Sequence, residues 1–278
     1  MPTLLVPVDF SANSRHALRF AQAMAKDMGA RIHLLHVWHP SLFPTEAPGT
    51  LPVTYTENAG RAQLTAFAKE HGISESDTTL AVGFAAERII EASKQPEIDY
   101  VVLGSEEHEP DLADRLIGNI ATEVCQDAHC PVLVVPEGVD YGKKGFRRIL
   151  YASSASALDT GTVTQVVDLA KTFHADVHFV HVQTDDDEED ITESMEVEDS
   201  LFKELHEDSE TDIRAHLVNI EDESVVEGLT QYARENEIDL MVSVTRHRSW
   251  WQELLHRSQT KQLTLHAELP LLVLHLED

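Results

Sequence analysis

Apolar residues along this chain fall into short runs separated by stretches of helical spacing. Thr3–Val8 is a nearly continuous apolar run and predicts a buried strand. Ala17, Phe20, Ala21, Met24 and Met28 then recur at helical spacing, behind capping residues between Ser11 and Asn13, and Gly29 stops the helix. Ile32–Trp38 predicts a second strand, and the Pro-rich residues 40–53 a long loop. Asn58–His71 predicts helix, Thr78–Gly83 strand, Ala85–Lys94 helix, Tyr100–Leu103 strand, Leu116–Asp127 helix and Pro131–Val135 strand. Strand and helix alternate throughout. That order predicts a parallel sheet with helices on both faces, whose ligands bind beyond the carboxyl ends of the strands.

The pattern then repeats. Arg31-Ile32-His33-Leu34-Leu35-His36-Val37 returns as Asp176-Val177-His178-Phe179-Val180-His181-Val182, an offset of 145. Glu97-Ile98-Asp99 returns as Glu237-Ile238-Asp239 at offset 140, and Pro131–Val135 as Pro270–Leu274 at offset 139. Ordered matches at a nearly steady offset indicate a duplicated domain. The expected organisation is α/β: two tandem Rossmann-like domains, 1–138 and 148–278, each a five-stranded parallel sheet, joined by a Gly-rich polar linker at 139–147.

Charge narrows the partners. The chain of 278 residues has a formal net charge of −28. Residues 1–145 contribute −9 and residues 146–278 contribute −19, most of the excess lying in 185–212 with 15 acids and one cation, Lys203. Such a chain repels a phosphate backbone, so nucleic acid is excluded as a partner. The surplus suits either a high-salt setting or an ordinary acidic surface. No apolar run reaches membrane-helix length, and the start has no signal-peptide pattern, so a cytoplasmic protein with no membrane partner is expected. Cys125 and Cys130 cannot form a disulfide framework or a four-cysteine zinc site.

Candidate chemistry gathers at the switch point of the first half. Asp9 closes strand one behind Pro7-Val8, and a carboxylate there can accept hydrogen bonds from a ribose or a base. Val37, closing strand two, can wall an aromatic base. The turn after strand four runs from Leu103-Gly104-Ser105 to Gly118-Asn119-Ile120, where glycine and a helix N-terminus allow backbone to approach a phosphate.

These blocks resemble the universal stress protein family: Leu5-Val6-Pro7-Val8-Asp9-Phe10-Ser11, His36-Val37, Val102-Leu103-Gly104, Gly118-Asn119-Ile120-Ala121 and Cys130-Pro131-Val132-Leu133-Val134-Val135. Both halves match, as in tandem members. The resemblance implies a Rossmann-like fold paired through the last strand, a role in stress survival and, in one branch, ATP binding. It implies Pro7, Val8, Asp9, Val37, Gly104, Gly118, Asn119 and Ile120 as the adenine-nucleotide site, for ATP, ADP or AMP, with Mg if a triphosphate. That branch carries Gly-two-Gly-nine-Gly-Ser/Thr around the phosphates. Here Glu107 replaces the second glycine, Gly118 comes one residue late and Asn119 replaces the hydroxyl residue. Glu106, Glu107, Glu109, Asp111 and Asp114 lie between, opposed only by Arg115, so ATP without a screening metal is disfavoured. In the second half Ala152 stands for Pro7, Ser154 for Asp9, Ser243 for Gly104, Arg246 for the second glycine and Arg257-Ser258 for Gly118-Asn119. The turn Thr245–Trp251, near His256, offers arginines to an anion or simply pairs them with the chain's own acids.

Other signals carry less. His33 and His36 point to opposite faces of one strand and cannot share an ion there; with His39, His178 and His181 they are expected as partnered side chains. Asp185–Asp190 lacks the spacing of a calcium loop, and Pro40–Pro52 reads as surface loop or docking segment. Ser11 and Ser14 serve as caps or as phosphorylation sites. No nucleophile elbow, zinc-protease motif or P-loop lysine is present. The expected function is a non-enzymatic regulatory or interaction protein with no metal site and at most one nucleotide site. Its two domains pack as a pseudo-dimer, a homodimer is allowed, and the protein partner is unknown. The alternatives are a slow ATPase or nucleotide hydrolase, and a nucleotide-free structural module.

Overall fold

The pleat of the strands divides the core. In a computed structural model describing residues 1–38, 57–105, 119–142, 145–153, 160–184, 214–245 and 269–275, the first half comprises β1 (Thr3–Pro7), α1 (Ala12–Met28), β2 (Arg31–Trp38), α2 (Glu57–Glu70), β3 (Thr78–Val82), α3 (Ala85–Ser93), β4 (Tyr100–Gly104), α4 (Asn119–Asp127) and β5 (Val132–Val135). The second half comprises β6 (Arg148–Ser153), α5 (Thr160–Phe173), β7 (Asp176–Gln183), β8 (Ala215–Glu221), α6 (Val225–Glu235), β9 (Leu240–Thr245) and β10 (Leu271–His275). Leu4, Val6, Val102 and Leu133 face one side with α1, α2 and α5, while Leu5, Val101, Leu103 and Val132 face the other with α3, α4 and α6. Both faces are apolar, so the strands read as unbroken hydrophobic runs.

Strand order is β3-β2-β1-β4-β5-β10-β9-β6-β7-β8, one sheet of ten strands. Within each half all pairs are parallel; β5 and β10 meet antiparallel, Leu133 opposite Leu272. The two expected five-stranded sheets are therefore continuous, and the halves are Rossmann-like units related by a pseudo-two-fold axis between β5 and β10. Pairing these last strands removes two sheet edges that would otherwise stay open. No described helix is long and apolar enough to cross a membrane.

Register also fixes which residues of the two halves correspond. Leu4 pairs with Tyr100 as Ile149 pairs with Leu240, and Val101 with Val132 as Met241 with Leu271. Val244 thus occupies the place of Gly104, and Ser243 that of Leu103. The expected match of Ser243 to Gly104 is off by one, which in a strand exchanges the two faces. Ala152 does hold the place of Pro7, since each pairs with its neighbour strand at the equivalent residue, Val180 and Leu35. Several expectations lie outside the described residues: His39, the 40–53 loop, residues 106–118 with Gly118 and the acids, Ser154, the 185–212 acidic stretch and the 246–258 turn with Arg246, His256, Arg257 and Ser258.

Candidate nucleotide site

β1 lies between β2 and β4, and the chain leaves β1 and β4 toward opposite faces. The sheet therefore parts beyond their carboxyl ends, the position where open α/β sheets accept ligands. A cavity of about 380 Å³ lies there. Pro7, Val8 and Asp9 from the end of β1, Val37 from β2, Gly104 from β4 and Ile120 from α4 all line it. Asn119 opens α4 beside Ile120. The remaining wall includes Leu35, Ile89 and Leu103, together with Ser11, Asn13 and Ser14 of the α1 start.

A strained turn aims Asp9. Phe10 has φ 68, a conformation uncommon for a side chain of that size. Its ring is held 4.4 Å from His36 and 5.2 Å from Phe67, and its carbonyl accepts from Arg15 Nε at 3.4 Å. Asp9 Oδ1 accepts from Ser11 N–H at 3.0 Å. Partial burial pushes the Asp9 carboxyl up, but hydrogen bonds from Ser11 and Ser14 outweigh it and leave the pKa below the usual value, so the group is ionised at neutral pH. Ser11 itself caps α1, its hydroxyl accepting from Ser14 N–H at 3.1 Å.

Asn13 is a polar wall residue that the sequence did not single out for this site. Its Nδ2 donates to the Ser105 carbonyl at 2.6 Å, tying α1 to the end of β4. Its Oδ1 is buried and has no partner among the described residues. The amide lies directly over Gly104: a Cβ there would meet Asn13 Nδ2 at 2.8 Å. Glycine is what allows that approach. In the second half Val244 fills the equivalent place and packs on the core, and Ser243 Oγ is buried without a partner among the described residues.

Of the histidines expected to be partnered, His33, His36 and His178 have partners among the described residues. His33 Nε2 meets Thr79 Oγ1 at 2.8 Å and His36 Nδ1 donates to the Val8 carbonyl at 2.7 Å. His178 Nδ1 meets the Tyr232 hydroxyl at 2.7 Å, and His275 Nε2 donates to the Cys125 carbonyl at 2.9 Å. Burial lowers the pKa of all four below 6.5, more than the Val8 carbonyl and Asp9 raise that of His36. Their neutral forms therefore favour the fold above pH 6.5, and that stability is lost as pH falls below it. Thermal melts in molar salt, which screens the net charge, are expected to show the melting temperature falling from pH 7.5 to pH 5. A shallower profile in His36→Gln is the accompanying sign that His36 carries part of the slope. Both thiols are buried, Cys125 raised strongly and Cys130 pushed up to about 12, so neither is a nucleophile at neutral pH.

The sequence model of the Universal stress protein family matches residues 1–136 and again 145–275. A universal stress protein of Methanocaldococcus jannaschii is 30% identical over 138 residues, 48% of this chain and 80% of its own length. One from Thermus aquaticus is 27% identical over 140 residues, again 48% of this chain and 97% of its own length. A crystal structure of a universal stress protein from Archaeoglobus fulgidus matches 98% of both chains with a TM-score of 0.64 at 17% identity. Both copies of the fold, and nearly every residue of the chain, are accounted for by these matches; the chain belongs to the universal stress protein family as a tandem member.

Proposed function

We propose that the first-half crevice is an adenine-nucleotide site, one per chain, and that the protein is a non-enzymatic stress-response regulator whose second half has lost the site. The first unit, 1–138, is the ligand-bearing one. The observation that carries this reading is the convergence of Pro7, Val8, Asp9, Val37, Gly104 and Ile120 on one cavity of about 380 Å³, within the range of small-ligand pockets. Val8, Val37 and Ile120 supply apolar contact for a base, and Asp9 accepts from ribose hydroxyls. Gly104 lets the Asn13 amide close over the end of β4, and the backbone of Asn119 and Ile120 faces the phosphates. Val244 stands in the place of Gly104 in the second half.

Among the described residues no lysine, arginine or histidine lines the cavity, and the sequence directly after Ser105 carries five carboxylates before Gly118. Each added phosphate therefore meets more repulsion unless a divalent cation screens it. Equilibrium dialysis is expected to give one bound AMP per chain without metal, and ATP binding only with magnesium. A non-enzymatic role predicts no phosphate release above the blank. Absence of binding by AMP, ADP and ATP under all conditions would end the nucleotide reading.

A further inference from the structure

The pseudo-two-fold axis makes two equivalent slots where the halves meet, one beside α1 and one beside α5. They are treated differently by the chain. The slot beside α1 is filled by the segment joining the halves, expected from sequence as a polar linker. Gly145, with φ 66, turns that segment so that Tyr141 and Phe146 enter together. The Tyr141 hydroxyl donates to Asp27 Oδ2 at 2.8 Å, and its ring is 5.3 Å from Phe20. The Phe146 ring is 5.0 Å from Phe173, and Phe146 is only 3% exposed.

The slot beside α5 has the same frame. Register places Gln165 where Phe20 is, Thr172 where Asp27 is, and Met28 where Phe173 is. Asp99 Oδ2 accepts from Thr3 N–H at 2.7 Å as Asp239 Oδ2 accepts from Arg148 N–H at 2.9 Å. Among the described residues no aromatic pair fills it: a cavity of about 390 Å³ remains, lined by Met28, Gln165 and Thr172 together with Asp99 and Asp168, the Asp168 carboxylate lying 3.9 Å from Lys171 Nζ at its edge. The linker that fills the first slot is aromatic and basic, Tyr141-Gly142-Lys143-Lys144-Gly145-Phe146-Arg147-Arg148. Such a segment suits two carboxylates on a chain of net charge −28.

We propose that the slot beside α5 is a docking groove for an extended segment of a partner protein bearing aromatic side chains flanked by basic residues. Register places Met1 where Phe146 is; the partner's aromatic rings would take the positions that Tyr141 and Phe146 hold in the first slot, and its basic groups would face Asp99 and Asp168. The test uses the full chain and a fluorescein-labelled peptide of residues 138–148 as the probe, read by fluorescence anisotropy. Saturable binding is expected. The peptide with Tyr141→Ala and Phe146→Ala, and the full-chain variants Asp168→Lys and Gln165→Trp, are each expected to weaken it by about tenfold or more. Asp168 is exposed, so its reversal tests the groove even if Gln165→Trp fails to fold. No saturable binding, or binding indifferent to Asp168→Lys, overturns the proposal. So does sedimentation showing a dimer that Asp168→Lys dissociates, because a second copy is then the occupant.

Discussion

Gly104→Val is expected to abolish nucleotide binding while leaving a folded protein. The valine reproduces what the second half already has, since Val244 holds the equivalent place in β9 and packs on the core. In the first half the same change meets Asn13. A Cβ at Gly104 would lie 2.7 Å from Asn13 Cγ, and Asn13 is anchored by its 2.6 Å bond to the Ser105 carbonyl. The amide must leave that anchor and swing toward the cavity, and the two valine methyls take up the space above β4. Losing one anchored hydrogen bond costs about 1 kcal/mol, small against the marginal but larger stability of a domain. The ligand loses its approach to the backbone, so binding falls by roughly 100-fold or more, about 2.7 kcal/mol. Titration calorimetry with AMP and with ATP and magnesium, beside a thermal melt, reads both quantities. The double variant Asn13→Ser, Gly104→Val should regain stability without regaining binding, because the two side chains compete for one volume. Native-like affinity in Gly104→Val would remove the site from the end of β4.

How far the sequence carries this picture depends on what each residue answers to. Leu4, Val6, Leu34 and Leu133 announce their strands because both faces of a parallel sheet are covered, and that demand is local. The caps at Ser11 and Gly29 are likewise local, and each closes α1 where its sequence predicts. Pro131–Val135 is different. Its apolar run would read the same whether β5 ended a sheet or met β10, so fusion into ten strands is invisible in the run itself. Asn13 looks like a capping residue because it follows Ser11, but its bond is to Ser105, 92 residues away. Phe146 looks like part of a polar linker because glycines and lysines surround it.

The one-residue slip at β9 has a similar origin. Offset 140 at Glu237-Ile238-Asp239 persists through β9, while 139 applies only from β10 onward; aligning across the intervening turn shifts the strand. Pairing energy, not similarity, decides the face each residue takes. The correction changes the functional argument. A serine in the place of Gly104 would keep that position small and polar, whereas Val244 puts a branched apolar side chain there, packed on the core.

Asp9→Ala is expected to weaken every adenine nucleotide equally, by roughly 30-fold or about 2 kcal/mol. Asp9 lines the cavity at the end of β1, and its carboxylate is held ionised by Ser11 and Ser14. A carboxylate has acceptor capacity beyond the one 3.0 Å bond from Ser11 N–H, so it can receive two vicinal ribose hydroxyls in charge-assisted bonds, the stronger kind. The ribose is common to AMP, ADP and ATP, and for that reason the loss should not depend on phosphate number. A loss that grew or shrank from AMP to ATP would place Asp9 near the phosphates instead. Asp9→Asn keeps an acceptor without the charge, and is expected to fall between the parent and the alanine variant. The fold should tolerate both changes. Asp9 is exposed, and its removal leaves the Ser11 N–H and the Ser11 and Ser14 hydroxyls to find water or each other, at a cost of about 1 kcal/mol. Deoxyadenosine monophosphate provides the reciprocal measurement: removing the 2′-hydroxyl should cost the parent protein affinity and cost Asp9→Ala almost none, since the coupling between that hydroxyl and the carboxylate no longer exists. Equal losses in both proteins would show that Asp9 and the ribose do not touch.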